Sequence, residues 1–258
     1  MKVVILAGGL GTRLMEETEA RPKPMVEIGG KPILWHIMKI YESQGFNDFI
    51  VCLGYKSSFI KEYFLNYYVY NSDITIELEK NNVEVHYSNS ERFKVTLIDT
   101  GLETNTAGRL KKVQKHLNNE PFMLTYGDGV ADIDLKALTE FHNAHGKLAT
   151  ITSIQLPGRF GSLALDDDAL VKSFEEKPRK DGVWVNGGYF VLNPGIFDYF
   201  KGDMEQVQWE RGPLVDIAAD GQLYAYQHNG FWKCMDALRD KIELEEIWKT
   251  GKAPWKKW

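Results

Sequence analysis

The feature that most constrains this chain is a repeated alternation. Short apolar, β-rich runs bounded by Gly or Asp are followed by segments in which apolar residues recur at helical spacing. Strands and helices each need a partner layer to bury their apolar faces, and βαβ units around a mostly parallel sheet provide one. Strands are expected at Lys2 to Ala7, Asp48 to Leu53, Pro121 to Tyr126 and Leu148 to Gln155. Between the first two, Ile33, Leu34, Ile37, Met38 and Tyr41 form one helical stripe, with Pro32 suited to its first turn and Gly45 to its exit. Phe59, Ile60, Tyr63 and Phe64, and then Leu135, Leu138 and Phe141, repeat that stripe as core faces. The aromatic run Tyr63 to Tyr70 shares the spacing, which points to packing or subunit contact before a binding stack.

Beyond about Asp181 the character changes to a Gly-Gly-bearing strand from Trp184 to Leu192, shorter elements, and a last helix near Ala237 to Thr250 ended by Gly251 and Pro254. No low-complexity linker intervenes. Residues 1–258 therefore read as a single domain with a cleft, in which 1–180 form the α/β core and 181–258 a smaller appended region. The 36 acids outnumber the 31 bases, for a net charge of −5, which argues against a nucleic-acid partner. The longest apolar run, Val3 to Ala7, falls far short of the ~20 residues of a membrane span. Met1-Lys2 leads straight into it, with no room for a signal peptide, so a cytoplasmic protein is expected. Cys52 and Cys234 stand alone, and Cys52, inside an apolar run, reads as a core residue. The basic, aromatic tail Lys252 to Trp258 reads as a subunit contact or a packed end. His142 and His145 lie one turn apart with no third ligand nearby and read as a surface pair, while the other four histidines are isolated.

The chemistry is concentrated where the first strand runs out. Leu6-Ala7-Gly8-Gly9-Leu10-Gly11-Thr12-Arg13 places three glycines in four positions, letting backbone N–H groups crowd around an anion where a Cβ would obstruct it. A tight strand-to-helix turn would use the same glycines, but Arg13 adds a forked cation suited to phosphate oxygens. A Walker loop is excluded, because Gly30-Lys31, Gly146-Lys147 and Gly251-Lys252 all lack the following hydroxyl. A dinucleotide fingerprint is excluded by Leu14, which stands where its third glycine belongs. Ten residues on, Pro22-Lys23-Pro24 holds a lysine on stiff backbone, a suitable phosphate clamp. Asp128 follows the β-rich run Phe122 to Tyr126 and should project from a strand end into the crevice where α/β sheets bind ligands. Asp132, in the same loop, reads as a cap for the following helix.

Together, Gly8-Gly9-x-Gly11-Thr12-Arg13-Leu14 and Pro22-Lys23 resemble the sugar-1-phosphate nucleotidyltransferases along essentially the whole chain. Asp99-Thr100-Gly101, Thr106-Ala107-Gly108-Arg109-Leu110, Tyr126-Gly127-Asp128-Gly129-Val130-Ala131-Asp132 and Gly230-Phe231-Trp232 with Met235-Asp236 look like one branch of them, the glucose-1-phosphate cytidylyltransferases. The resemblance implies a Rossmann-like, mixed but mainly parallel sheet flanked by helices, with a smaller C-terminal sugar-binding and oligomerisation region. It implies CTP and glucose-1-phosphate as substrates, Mg²⁺ as cofactor, and a homo-oligomer, a hexamer in that branch, acting at the entry to deoxysugars of surface polysaccharides. Backbone from Leu6 to Gly11, including Ala7, Gly8, Gly9 and Leu10, with Thr12, Thr104 and Arg109, would bind the nucleotide. Arg13 would hold the departing pyrophosphate and Lys23 would bridge the phosphates. Asp128 and Asp236 would share the metal, while Glu176, Lys177, Asn186 and Gly187 would meet the sugar phosphate.

Three positions depart from the branch. Ala107 stands where it usually has glycine, and its methyl would tighten or shift the base pocket. Lys233-Cys234 replaces a Gln-Pro pair, which bears on sugar or oligomer contacts. An in-line displacement at phosphorus needs aligned polyanions and neutralised charge rather than a histidine or cysteine nucleophile. Among other classes, a non-catalytic nucleotide-binding subunit would show erosion of Arg13, Lys23, Asp128, Lys177 and Asp236, all of which are present. A nicotinamide-dependent dehydrogenase is weakened by Leu14, and within the enzyme class the same chemistry with another pyrimidine nucleotide, dTTP or UTP, or with another phosphorylated acceptor stays open.

Overall fold

Val3, Val4, Ile5 and Leu6 form an unbroken apolar run because their strand is covered on both faces, and none is more than 8% exposed. In the computed structural model, which describes residues 1–88, 90–156, 162–165, 171–175 and 183–258, this strand lies inside a seven-stranded sheet. The strands are β1 (Lys2–Leu6), β2 (Asp48–Leu53), β3 (Lys94–Asp99), β4 (Phe122–Tyr126), β5 (Ala149–Gln155), β6 (Trp184–Leu192) and β7 (Leu223–His228). They lie in the order β7-β5-β6-β4-β1-β2-β3, and only β6 runs antiparallel to its neighbours. Sheet and fold class thus match the sequence expectation.

The helices that cover the sheet are α1 (Ile33–Glu42), α2 (Ser57–Tyr70), α3 (Thr106–Val113), α4 (Leu135–His145), α5 (Pro213–Ala219) and α6 (Leu238–Lys249). Alternation along each strand sends side chains to two cores. Val3, Ile5, Phe49, Val51 and Met123 meet α1, α4 and α6 on one face. Val4, Leu6, Ile50, Cys52 and Leu124 meet α3, α5 and the fully buried Trp209 on the other. From β1 the chain builds outward through β2 and β3, then crosses back to β4 on the opposite side. The C-terminal ends of β1 and β4 are therefore the point where the strand order reverses, and a crevice opens there.

The central strands begin and end within one residue of their expected limits. β3 and β7 went unread because they are the sheet's two edge strands, only partly buried, and carry no continuous apolar run. β6 lies between β4 and β5, so the chain beyond residue 181 supplies a central strand and core residues rather than only an appended region. Asp132 does not cap a helix. The cap of α4 is Asp134, which accepts from the Ala137 amide at 2.9 Å, while Asp132 pairs with His228 at 3.1 Å. His142 and His145 are not a surface pair either, since both hydrogen-bond the Thr150 hydroxyl and His142 is buried. Among the described residues no helix is long and apolar enough to cross a membrane.

The C-terminal tail is a packed end. Trp255 is fully buried, stacking on Phe231 and Trp248, and its indole N–H points at His36 Nδ1 at 3.4 Å. His36 Nε2 donates to the Ile28 carbonyl at 2.8 Å, so the neutral tautomer satisfies both ring nitrogens. A second ring proton would face the indole N–H, and burial pushes the His36 pKa down to about 4. Above about pH 7 His36 is neutral in both the folded and the unfolded chain. Below 6.5 the unfolded chain binds a proton that the folded chain refuses until about 4, so stability falls as pH drops through that window. This contribution is expected to reach about 3 kcal/mol near pH 4. Urea denaturation between pH 8 and pH 4 should show that loss in the wild type and a flatter profile in His36→Asn.

Candidate active site

Where β1 ends, the Ala7 amide still bonds the Cys52 carbonyl at 3.1 Å, but the next three glycines leave the sheet. Gly11 adopts φ +67°, a left-handed conformation that costs glycine little, and its carbonyl accepts from Leu14 N at 3.0 Å to close a short turn over Thr12–Leu14. The glycine loop floors a cleft of about 540 Å³ at the switch point.

Arg109, from α3, reaches beneath this loop and is only 4% exposed. Its Nη2 donates to Gly8 O at 3.0 Å and Leu102 O at 3.2 Å. Its Nη1 donates to Leu53 O, Thr100 Oγ1 and Gly101 O at 2.9, 2.7 and 2.8 Å. One guanidinium thus ties together the segments leaving β1, β2 and β3. A Cβ on Gly8 would lie 2.2 Å from Arg109 Nη1, and one on Gly54 would lie 2.4 Å from Gly8 O, so both positions require glycine. Arg109 lines the cleft while holding its floor.

Opposite the loop stands a cluster of charge. Pro22 is extended, and Lys23 opens a short 3₁₀ turn that sends its side chain across the cleft. Lys23 Nζ lies 2.7 Å from Asp128 Oδ2 and 2.6 Å from Asp236 Oδ1. Burial opposes its charge, but the two carboxylates outweigh that and hold its pKa above the ordinary lysine value. The carboxylates meet because Gly129–Ala131 and Trp232–Cys234 form a three-residue antiparallel ribbon, and Met235 N donates to Asp128 O at 2.8 Å. Cys234 lines the cleft beside them, its thiol pushed up to about 11 by burial and the neighbouring Asp236 and Asp128, hence neutral at pH 7. Two hard carboxylates converging on one cationic point suit Mg²⁺, which shares its sphere with water and substrate phosphates. Among the described residues no group of three or more His, Cys, Asp or Glu could hold a metal, so such an ion would draw further ligands from substrate.

The remaining wall is polar and aromatic. Tyr126 OH donates to Glu210 Oε1 at 2.5 Å and accepts from Asn186 Nδ2 at 3.2 Å, while Thr106 Oγ1 donates to Glu210 Oε2 at 2.8 Å. Asn186 Oδ1 accepts from Gly188 N at 2.7 Å, and Trp232 Nε1 donates to Gly187 O at 2.6 Å, fixing this stretch of β6 against the ribbon. Glu210 bore no sequence signal, lying in a short turn outside every motif.

Leu6, Ala7, Gly8, Gly9, Gly11, Thr12, Lys23, Thr104, Arg109, Asp128, Asn186 and Asp236 all line this one cleft. Gly187 lies between two lining residues on β6, and Leu10, 47% exposed, is not among the residues lining the cleft. The Arg13 side chain, Glu176 and Lys177 lie outside the described residues. Thr104 turns its hydroxyl to Glu205 and accepts from Lys112 Nζ at 3.1 Å. Ala107 is not among the residues lining the cleft; it is fully buried with Leu110 and Val113 in the core under the sheet. Lys233 pairs with Asp240 and Glu243.

A glycine loop at the switch point of a mainly parallel sheet, faced by a lysine and two convergent carboxylates, makes a cleft whose chemistry suits a polyanionic ligand. The chain belongs to the nucleotidyl transferase family, which its residues 2–235 match. It is 56% identical over 259 residues to the glucose-1-phosphate cytidylyltransferase of Salmonella typhi, with 100% of each chain covered. It is 44% identical over 258 residues to the probable glucose-1-phosphate cytidylyltransferase of Bacillus subtilis (strain 168), again with 100% of each covered. The crystal structure of HddC from Yersinia pseudotuberculosis complexed with GMP-PN is similar, with a TM-score of 0.68 at 26% identity over 96% of this chain and 99% of that one.

Arg109→Leu removes donors from buried carbonyls at three strand ends. It is expected to destabilise the fold by about 3 kcal/mol and to abolish stabilisation by CTP, both read by urea denaturation with and without nucleotide.

Proposed function

We propose that this protein transfers the cytidylyl group of CTP to α-D-glucose-1-phosphate, giving CDP-glucose and pyrophosphate. The observation that carries this reading is Lys23 bridging Asp128 and Asp236 across a glycine-floored cleft, in a chain 56% identical along its full length to a cytidylyltransferase. The sugar phosphate oxygen attacks the α-phosphorus in line with the departing pyrophosphate, and no covalent intermediate with the protein is needed.

Each residue has a task in that displacement. The backbone of Leu6 to Gly11 and Thr12 cradles the nucleotide phosphates, Thr104 and Arg109 set the base wall, and Arg13 holds the leaving pyrophosphate. Lys23, kept protonated by its surroundings, moves its charge from the carboxylates to the phosphates as two polyanions approach. Asn186, fixed by Tyr126 and Gly188, orients the sugar beside Gly187, with Glu176 and Lys177 completing that subsite. Asp128 and Asp236 would hold Mg²⁺, which when bound neutralises phosphate charge and polarises the α-phosphoryl group. The reading includes a cytoplasmic homo-oligomer that supplies deoxysugar building blocks. Leu65, Tyr70 and Leu78, each at least 78% exposed, are side chains that subunit contact would cover.

Pyrophosphate release with Mg²⁺, crossing CTP, dTTP, UTP, ATP and GTP against glucose-1-phosphate and other phosphorylated acceptors, tests the reading. Release is expected with CTP and glucose-1-phosphate. Release confined to another pair would move the substrate, and silence throughout would overturn the assignment. Lys23→Ala should fold normally and lose roughly 10³-fold in turnover; near-normal turnover would remove Lys23 from the chemistry.

A further inference from the structure

Asp236 stands between the end of the ribbon strand Trp232–Cys234 and the N-cap of α6, a junction where the backbone could turn in several ways. Its side chain is 41% exposed, so packing alone does not fix where its carboxylate points. What fixes the junction is Asp240, in the first turn of α6. Its Oδ2 accepts from the amides of Asp236 at 3.1 Å and Ala237 at 2.9 Å. Its other oxygen lies 3.2 Å from Lys233 Nζ, which also reaches Glu243 Oε2 at 2.6 Å. Asp240 is 9% exposed, so these partners replace the water it gives up. Lys233 is itself a ribbon residue, next to Cys234, which pairs with Gly129 beside Asp128.

One buried carboxylate therefore joins the helix N-terminus, the Asp236 backbone and the ribbon that carries Asp128. The geometry points to Asp240, with Lys233 as its counter-ion, as the positioning residue that presents the Asp236 carboxylate to a divalent cation shared with Asp128. The inference rests on the reading of Asp128 and Asp236 as the metal-binding pair. A glutamine at position 233 could hydrogen-bond to Asp240 but could not neutralise it, so Lys233 and Asp240 act as a matched pair in this chain.

The test is binding of Mn²⁺ alone to the purified protein, followed by electron paramagnetic resonance, alongside the Mg²⁺ dependence of pyrophosphate release. Partners behind a metal ligand typically govern roughly 10–100-fold in metal affinity. Asp240→Ala is expected to weaken Mn²⁺ binding by that range and to raise the Mg²⁺ requirement in parallel. Asp240→Asn keeps an acceptor for the two amides and should lose less, roughly tenfold, with Lys233→Gln smaller still. Should Asp240→Ala fail to fold, Asp240→Asn decides. Wild-type Mn²⁺ affinity in a folded Asp240 variant with lowered thermal stability would make Asp240 a helix cap and nothing more. Asp236→Asn separates the two claims: if it binds Mn²⁺ like the wild type, the metal-binding pair itself is wrong. If it abolishes binding while the Asp240 variants do not, only the positioning role falls.

Discussion

Two carboxylates and one ammonium, all within hydrogen-bonding distance at the mouth of one cleft, are the arrangement on which the rest of this structure depends. Asp128 and Asp236 would repel each other if nothing positive lay between them, and Lys23 supplies that charge at 2.7 and 2.6 Å. The pair is brought together by a ribbon of three residues per strand, too short to stand alone in water. It persists because its ends are anchored in the body of the fold. Asp128 leaves central strand β4, Asp236 leads into α6, and Met235, between the ribbon and the helix, is fully buried. Lys23 keeps a positive charge between the two carboxylates, and in the proposed reaction a polyphosphate arriving with its own metal would take over both partners of the lysine.

The other half of the cleft is organised by Arg109. Burying a guanidinium is costly unless its donors are met, and here they fall on carbonyl and hydroxyl oxygens that the ends of β1, β2 and β3 leave outside the sheet. A hydrophobic side chain of similar size would fill the volume and orphan those oxygens. The same residue explains why glycine stands at positions 8 and 54, since any side chain there would occupy the arginine's place. The floor of the cleft is thus one hydrogen-bonded unit, while the charged rim is another, and substrate phosphates would lie between them.

Much of this was legible in the sequence, and what escaped has physical reasons. The strands covered on both faces announced themselves as continuous apolar runs, whereas the edge strands Lys94–Asp99 and Leu223–His228, half-exposed, did not. The glycine loop, Lys23 and Asp128 were readable because backbone freedom, a stiff proline frame and a strand end each leave a local mark. Asp236 was placed only by resemblance, because the ribbon that joins it to Asp128 is a tertiary pairing without a local pattern. Glu210 and Asp240 carry no mark at all; each matters through what it touches. His142 was misjudged because spacing along a helix does not reveal how deeply its faces are buried.

The central claim is that Asp128 and Asp236 share a divalent cation which frees Lys23 for the nucleotide phosphates. Anomalous diffraction from crystals grown with Mn²⁺ and CTP measures this directly. The account predicts a manganese peak touched by both carboxylates and by phosphate oxygens, with Lys23 Nζ moved onto the phosphates. Nucleotide bound in the cleft with manganese away from either carboxylate, or with Lys23 still bridging the pair, would contradict it.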